Sequence, residues 1–246
     1  MKIYRNEQSN LAGSIIEVPA DKCGIIAETN LKHFPVEPIS AATNIIFLIM
    51  LAYWAWKTKC KIKLYPFIVI TIPLMISALA FNTMFHLLRN NSIWHHLNLL
   101  CIVYSVITAS VYLWRRVTAK WMYTFFLALC IPVLFQIFII YMRPVDKLSL
   151  NVVFVVMALS VFVPAVIHCI KNKIQFISLL IYSSIFFSIG LFFRLFDSNL
   201  IGKTYIGTHF LWHIFCTISI FYFLKYSYNC DKLKTVDKFN EVASSF

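Results

Sequence analysis

The chain is predicted to fold as an all-α bundle of seven transmembrane helices, on three observations. Of its 246 residues 60% are hydrophobic and 17% aromatic, and the mean hydropathy is +0.76. Only 13% are charged, about half the share usual in a soluble domain. Finally, the apolar residues gather into seven stretches long enough to cross a bilayer as helices, with the basic residues between them.

Residues 1–38 are mixed and polar, with no long apolar core preceding a small-residue cleavage site, so they read as an extracytoplasmic N-terminal segment and not as a signal peptide. The expected spans are 39–56, 64–88, 93–113, 118–141, 149–170, 174–195 and 204–226. Their connections are short, which favours antiparallel neighbours in one bundle over 39–226. Residues 227–246 form a polar tail, expected to be mobile and outside the bilayer. Thirteen Lys and Arg fall on the side of the first, third and fifth connections and the C-terminal end, against eight on the other. That bias predicts a cytoplasmic C-terminus and an outside N-terminus. The formal charge of +12 is thereby explained without a nucleic-acid partner. The seven cysteines contain no CxxC pair, and the four in apolar spans are expected to be small buried hydrophobes. Gly totals only five, and no pair of Gly/Pro-broken spans points to a transporter.

Chemistry concentrates in Gly207-Thr208-His209-Phe210-Leu211-Trp212-His213, where His209 and His213 share a helix face one turn apart. Ionisable groups inside an apolar span are costly and usually functional. A third imidazole comes from His86, at the end of Ala80-Phe81-Asn82-Thr83-Met84-Phe85-His86. The second span ends, and the seventh begins, on the same side of the membrane, so the three histidines converge on one level. Three histidines with an open fourth position form the arrangement of catalytic zinc. His95 and His96 are expected at the headgroup level beside the interfacial Trp94, and His33 and His168 to be structural.

These residues resemble the alkaline ceramidases, especially the bacterial ceramidase-domain proteins, within the CREST superfamily of seven-span hydrolases that includes the adiponectin receptors. The likeness covers about residues 21–226. It is carried by Glu37-Pro38-Ile39-Ser40-Ala41-Ala42-Thr43-Asn44, by Phe85-His86, by Arg194 and Asp197, and most specifically by the closing His209-Phe210-Leu211-Trp212-His213. It implies that His86, His209 and His213 bind zinc and that the amide of a ceramide-like N-acyl lipid is cleaved to a fatty acid and a free sphingoid base. Membrane lipids are then the partners; no protein or nucleic-acid partner is expected.

Two departures stand out. Asn82 occupies the position of a family serine, and Asn98 that of a family aspartate. An asparagine can donate to an oxyanion, but Asn98 cannot serve as a general acid or base. Proton transfer would have to come from His95, His96 or Asp197. Glu37 is expected to cap or brace the first span, and Arg194 and Asp197 to pair as a buried brace behind the zinc. Of the family's acidic calcium ligands Asp21, Glu28 and Glu37 remain, but Lys22 adds charge to Asp21-Lys22-Cys23-Gly24, and no high-affinity calcium site is expected. A non-catalytic zinc-containing lipid-binding or sensor protein is the alternative to the enzyme.

Overall fold

The computed structural model describes residues 19–20, 24–118, 120–126, 128–130, 147–171 and 175–243, with backbone alone for 147–150 and 236–243. The helices are α1 (Pro38–Thr58), α2 (Pro66–Leu88), α3 (Ile93–Val117), the short α4 (Trp121–Cys130), α5 (Lys147–Lys171), α6 (Ile177–Asp197) and α7 (His209–Ala243). Among the described residues there is no strand. Six helices, all but α4, contain a segment long and apolar enough to cross a bilayer, which makes the chain a multi-pass membrane protein. The expected fourth span, 118–141, is described only as far as Cys130. Asp21, Lys22 and Cys23 of the calcium-like run lie outside the described residues.

Local chemistry sets the helix starts. Pro38 and Pro66 open α1 and α2, at positions where the missing N–H has no intrahelical partner to lose. The first turn of α1 is capped by Glu28, whose carboxylate accepts from the backbone of Ile39 and from both the backbone (3.1 Å) and the hydroxyl (2.7 Å) of Ser40. Helix α7 begins at His209, five residues later than the expected 204. Its first turn is fixed by the Asp197 carboxylate, which accepts from the backbone N–H of Thr208 (2.6 Å) and His209 (3.0 Å).

Around the bundle the contacts run α1–α2–α3–α5–α6–α7, and α7 packs back on α1. At one end the interior is solid: Leu51, Trp54, Ile68, Leu113, Leu180 and Leu224 are buried in one apolar cluster. Large apolar side chains such as Ile49, Trp56 and Phe192 instead face outward, as lipid-facing positions should. Helix α7 continues through the expected tail to Ala243, and Asp231 within it is buried. The cysteines also differ from expectation: of those in apolar spans only Cys169 is buried, while Cys101, Cys130 and Cys216 are half-exposed.

Candidate metal centre

The end of the bundle opposite the solid core encloses a cavity of about 860 Å³. That is within the usual range for a ligand pocket. Much of its wall is apolar, including Phe47, Met75, Leu99, Ile102, Phe154 and Phe162, and its polar face carries the three histidines. His86 comes from the last turn of α2, His209 and His213 from the first turns of α7. One ligand nitrogen from each lies within 4.8 Å of the others. The ring centroids are 4.9 Å (His86–His213), 5.1 Å (His209–His213) and 5.6 Å (His86–His209) apart.

The hydrogen bonds behind these rings decide which nitrogens face inward. His86 Nδ1 donates to Glu37 Oε2 at 2.6 Å, which leaves Nε2 as its acceptor atom. Glu37 is wholly buried, and its other oxygen accepts from the Arg89 guanidinium and from Thr29 Oγ1 at 2.5 Å. Burial opposes ionisation of Glu37, but the hydrogen bond from His86, the charge of Arg89 and the hydrogen bond from Thr29 outweigh it and hold the carboxyl below its ordinary 4.5. Two strands of backbone bonding, Val36 N to Leu87 O and Glu37 N to His86 O, tie this loop to the end of α2.

His213 is oriented by amides. Asn98 Nδ2 donates to Asn82 Oδ1 (3.1 Å), Asn82 Nδ2 to Asn44 Oδ1 (3.1 Å), and Asn44 Nδ2 to Thr83 Oγ1 (2.9 Å). Every amide accepts from one neighbour and donates to the next, so the ladder has one self-consistent direction. Asn44 Oδ1, at 3.3 Å, and Asn82 Nδ2, at 3.4 Å, both approach His213 Nδ1; with the proton on Nδ1 the Asn44 oxygen accepts it and Nε2 is left free to ligate. His213 Nε2 is buried with no hydrogen-bond partner among the described residues. A buried acceptor left open costs about 1–3 kcal/mol. An ion held by the three histidines would satisfy it, and a carboxylate behind one ligating histidine is the usual outer support of such sites. The donor set therefore fits zinc, as it would other imidazole-preferring metals.

The remaining expected residues are placed as follows. Asn82 and Asn98 both line the cavity, as rungs of the ladder. Glu37 makes no side-chain cap of α1, where Glu28 does that work; it braces α2 and His86 instead. Arg194 and Asp197 do not pair. Asp197 is the last residue of α6, and its carboxylate is taken by the backbone N–H groups of Ala27, in the loop before α1, and of Thr208 and His209, which have no intrahelical acceptor at the start of α7. Arg194 donates from Nε to Asn151 at 3.0 Å and lies over Phe154 and Trp212. His95 packs on Phe85, and His96 Nδ1 donates to Ser92 O; both line the cavity. His168 is far from the site, 2.7 Å from the Tyr226 hydroxyl.

No protein-family model, curated protein or solved structure matches this chain. The resemblance to alkaline ceramidases therefore rests on the residues themselves. Sequence reasoning missed Arg89 and the roles of Asn44 and Gly207. Arg89 is the left-handed cap that ends α2, three residues after His86, and a lone arginine directly behind a histidine-bearing span was a usable signal. At Gly207 an added Cβ would collide with the Asp197 carboxylate and stand 2.7 Å from Ala27 Cβ.

Proposed function

We propose that the chain is a seven-span, zinc-dependent amidohydrolase of ceramide-like N-acyl membrane lipids, releasing a fatty acid and a free sphingoid base, with its N-terminal segment outside and its C-terminal end in the cytoplasm. The observation that carries this reading is the open, buried Nε2 of His213 facing two further histidines, at the polar wall of an otherwise apolar cavity. Zinc, when bound, supplies Lewis acidity that polarises a carbonyl and acidifies water near neutral pH. The protein's own residues do the rest. Glu37 and Asn44 hold the imidazoles in the ligating tautomer, and the apolar wall takes an acyl chain and excludes bulk water. The Asn82 amide lies beside His213, where it can donate to a developing oxyanion.

Seven spans are supported by direction. Helices α3 and α5 both run from the cavity end toward the solid end: Asn98 and Asn151 lie near the cavity, and Ser110 Oγ reaches Ser160 O further along both. Two helices running the same way need an odd number of crossings between them, as seven spans require.

A second reading, a zinc-containing lipid-binding or sensor protein without turnover, is favoured by one observation. Among the described cavity residues the only carboxylates are Glu37 and Asp197, and both are fully engaged. The test is metal analysis of detergent-purified protein together with fatty-acid release from an N-acyl sphingosine. The enzyme holds about one zinc per chain and releases product, both lost in His213→Ala and in chelator. The sensor holds zinc and releases nothing. Folded, unmodified protein without zinc would sink both.

A further inference from the structure

Two arginines line the cavity. Arg89 is paired with Glu37, whereas Arg194 makes no ion pair among the described residues, the nearby Asp197 acting on it through its charge alone. Its Nε is committed to Asn151 Oδ1, and its guanidinium carbon lies 5.0 Å from the Phe154 ring centre and 5.4 Å from that of Trp212. The side chain is thus fixed at its stem and on its faces, while its terminal nitrogens have no hydrogen-bond acceptor among the described residues. Arg194 stands one turn before the end of α6, and His209 and His213 occupy the first turns of α7. At about 1.5 Å of rise per residue, the guanidinium and the histidines share one depth in the bundle. A guanidinium stays charged there, and a charge at membrane depth is held by a counter-ion or a water-filled cavity. Its planar fork matches a carboxylate in bidentate fashion.

We propose that Arg194 is an anion anchor within the cavity, and that the ligand this site holds best is an acyl lipid carrying a carboxylate. Two sources share that chemistry: a fatty acid, and the head of an N-acyl amino acid. The inference rests on the hydrolase reading only for the ligand's metabolic role, as product or as substrate. The second source would replace a neutral sphingoid amide by an anionic N-acyl lipid.

Binding is measured on full-length protein in neutral detergent after chelation, so that no metal can itself hold the carboxylate. The probes are oleate against oleyl alcohol, and N-oleoylglycine against N-oleoylethanolamine. At least about a tenfold preference for the carboxylate member of one pair is expected, as one charge-assisted hydrogen-bonded contact provides. The pair that discriminates identifies the source. In Arg194→Gln the preference falls to near unity, and Arg194→Lys keeps part of it. Equal binding within both pairs overturns the proposal, as does a preference unchanged in Arg194→Gln. So does competition by acetate or inorganic phosphate at the lipid's own concentration, which would mark a general anion site. Should Arg194→Gln not fold, Asn151→Ala keeps the charge but frees its stem, and the preference should weaken; the unmodified protein alone can still overturn the proposal. Because the metal is removed throughout, loss of the zinc reading leaves this result standing, and loss of this result leaves the zinc content untouched.

Discussion

Each end of the bundle carries an arginine–carboxylate pair, wholly buried at the cavity end and partly exposed at the other, and the two are built differently. At the cavity end, both oxygens of Glu37 are used, one by Arg89 and Thr29, the other by His86. At the solid end, Asp231 Oδ1 takes Arg116 and Tyr112, while Oδ2 is buried without a partner. The histidines differ in the opposite sense. His168 at the solid end is closed by the Tyr226 hydroxyl, whereas His213 at the cavity end keeps an open Nε2. Asp231 ties α3 to α7 and does nothing further. Glu37 completes its hydrogen bonds by fixing an imidazole whose free nitrogen faces two others. A buried ion pair is weak evidence for stability in itself, so the difference points to orientation of a ligand at one end and to simple cross-linking at the other.

The largest expected effect breaks the comparison between histidines. His213→Ala should abolish bound zinc, measured as metal per chain after gel filtration, whereas His168→Gln should lower thermal stability and leave the metal in place. Equal metal in both variants would sink the three-histidine site. Next come the carboxylates. Glu37→Gln should weaken zinc binding about 10–100-fold, the usual effect of losing a ligand's outer partner. Asp231→Asn should leave zinc affinity unchanged. Glu37→Gln leaves the buried Arg89 without its counter-charge, a loss of about 3–5 kcal/mol, and should lower Tm; Asp231→Asn, whose partner Arg116 is partly exposed, should lower it less. Metal affinity separates them in kind, Tm only in degree.

The sequence made the bundle legible for one reason: in a bilayer, apolar composition and length are the helix signal, and connections are where charge gathers. The histidine spacing was legible too, since His209 and His213 lie on one helix and the number of spans fixes the level of His86. Pairings across elements were not. Arg194 and Asp197 stand three apart on α6 and read as an ion pair, but Asp197 ends its helix beside the unsatisfied N–H groups opening α7, and those capture it. Glu37 sits where a helix cap belongs, yet a residue nine positions earlier, Glu28, takes that place because the loop folds back over α1. The polar run after Asn229 reads as tail, but Asp231 finds Arg116 and Tyr112, and the helix goes on.

A smaller effect sharpens the contrast within the cavity end itself. Asn44→Ala removes the oxygen that accepts from His213 Nδ1 in the ligating tautomer, and should weaken zinc binding about tenfold. Asn98→Ala cuts the far rung, two amides away, and should weaken it less. If the order were reversed, Asn98 would be acting on the metal site directly and not through the ladder.

The smallest effect concerns charge alone. Glu37 has a folded-state pKa below its ordinary 4.5, so its ionised form contributes stability that is fully present above that value and is lost as pH falls through the lower, folded one. The comparison is made on metal-free protein, so that histidine protonation does not enter through zinc release. The Tm gap between the unmodified chain and Glu37→Gln should be constant near neutral pH and narrow below about pH 4.5, because the glutamine carries no charge to lose. Asp231→Asn, measured alongside, controls for general acid weakening of the bundle. A gap that stays constant down to about pH 3 would mean that Glu37 holds Arg89 and His86 by shape and hydrogen bonding and not by its charge.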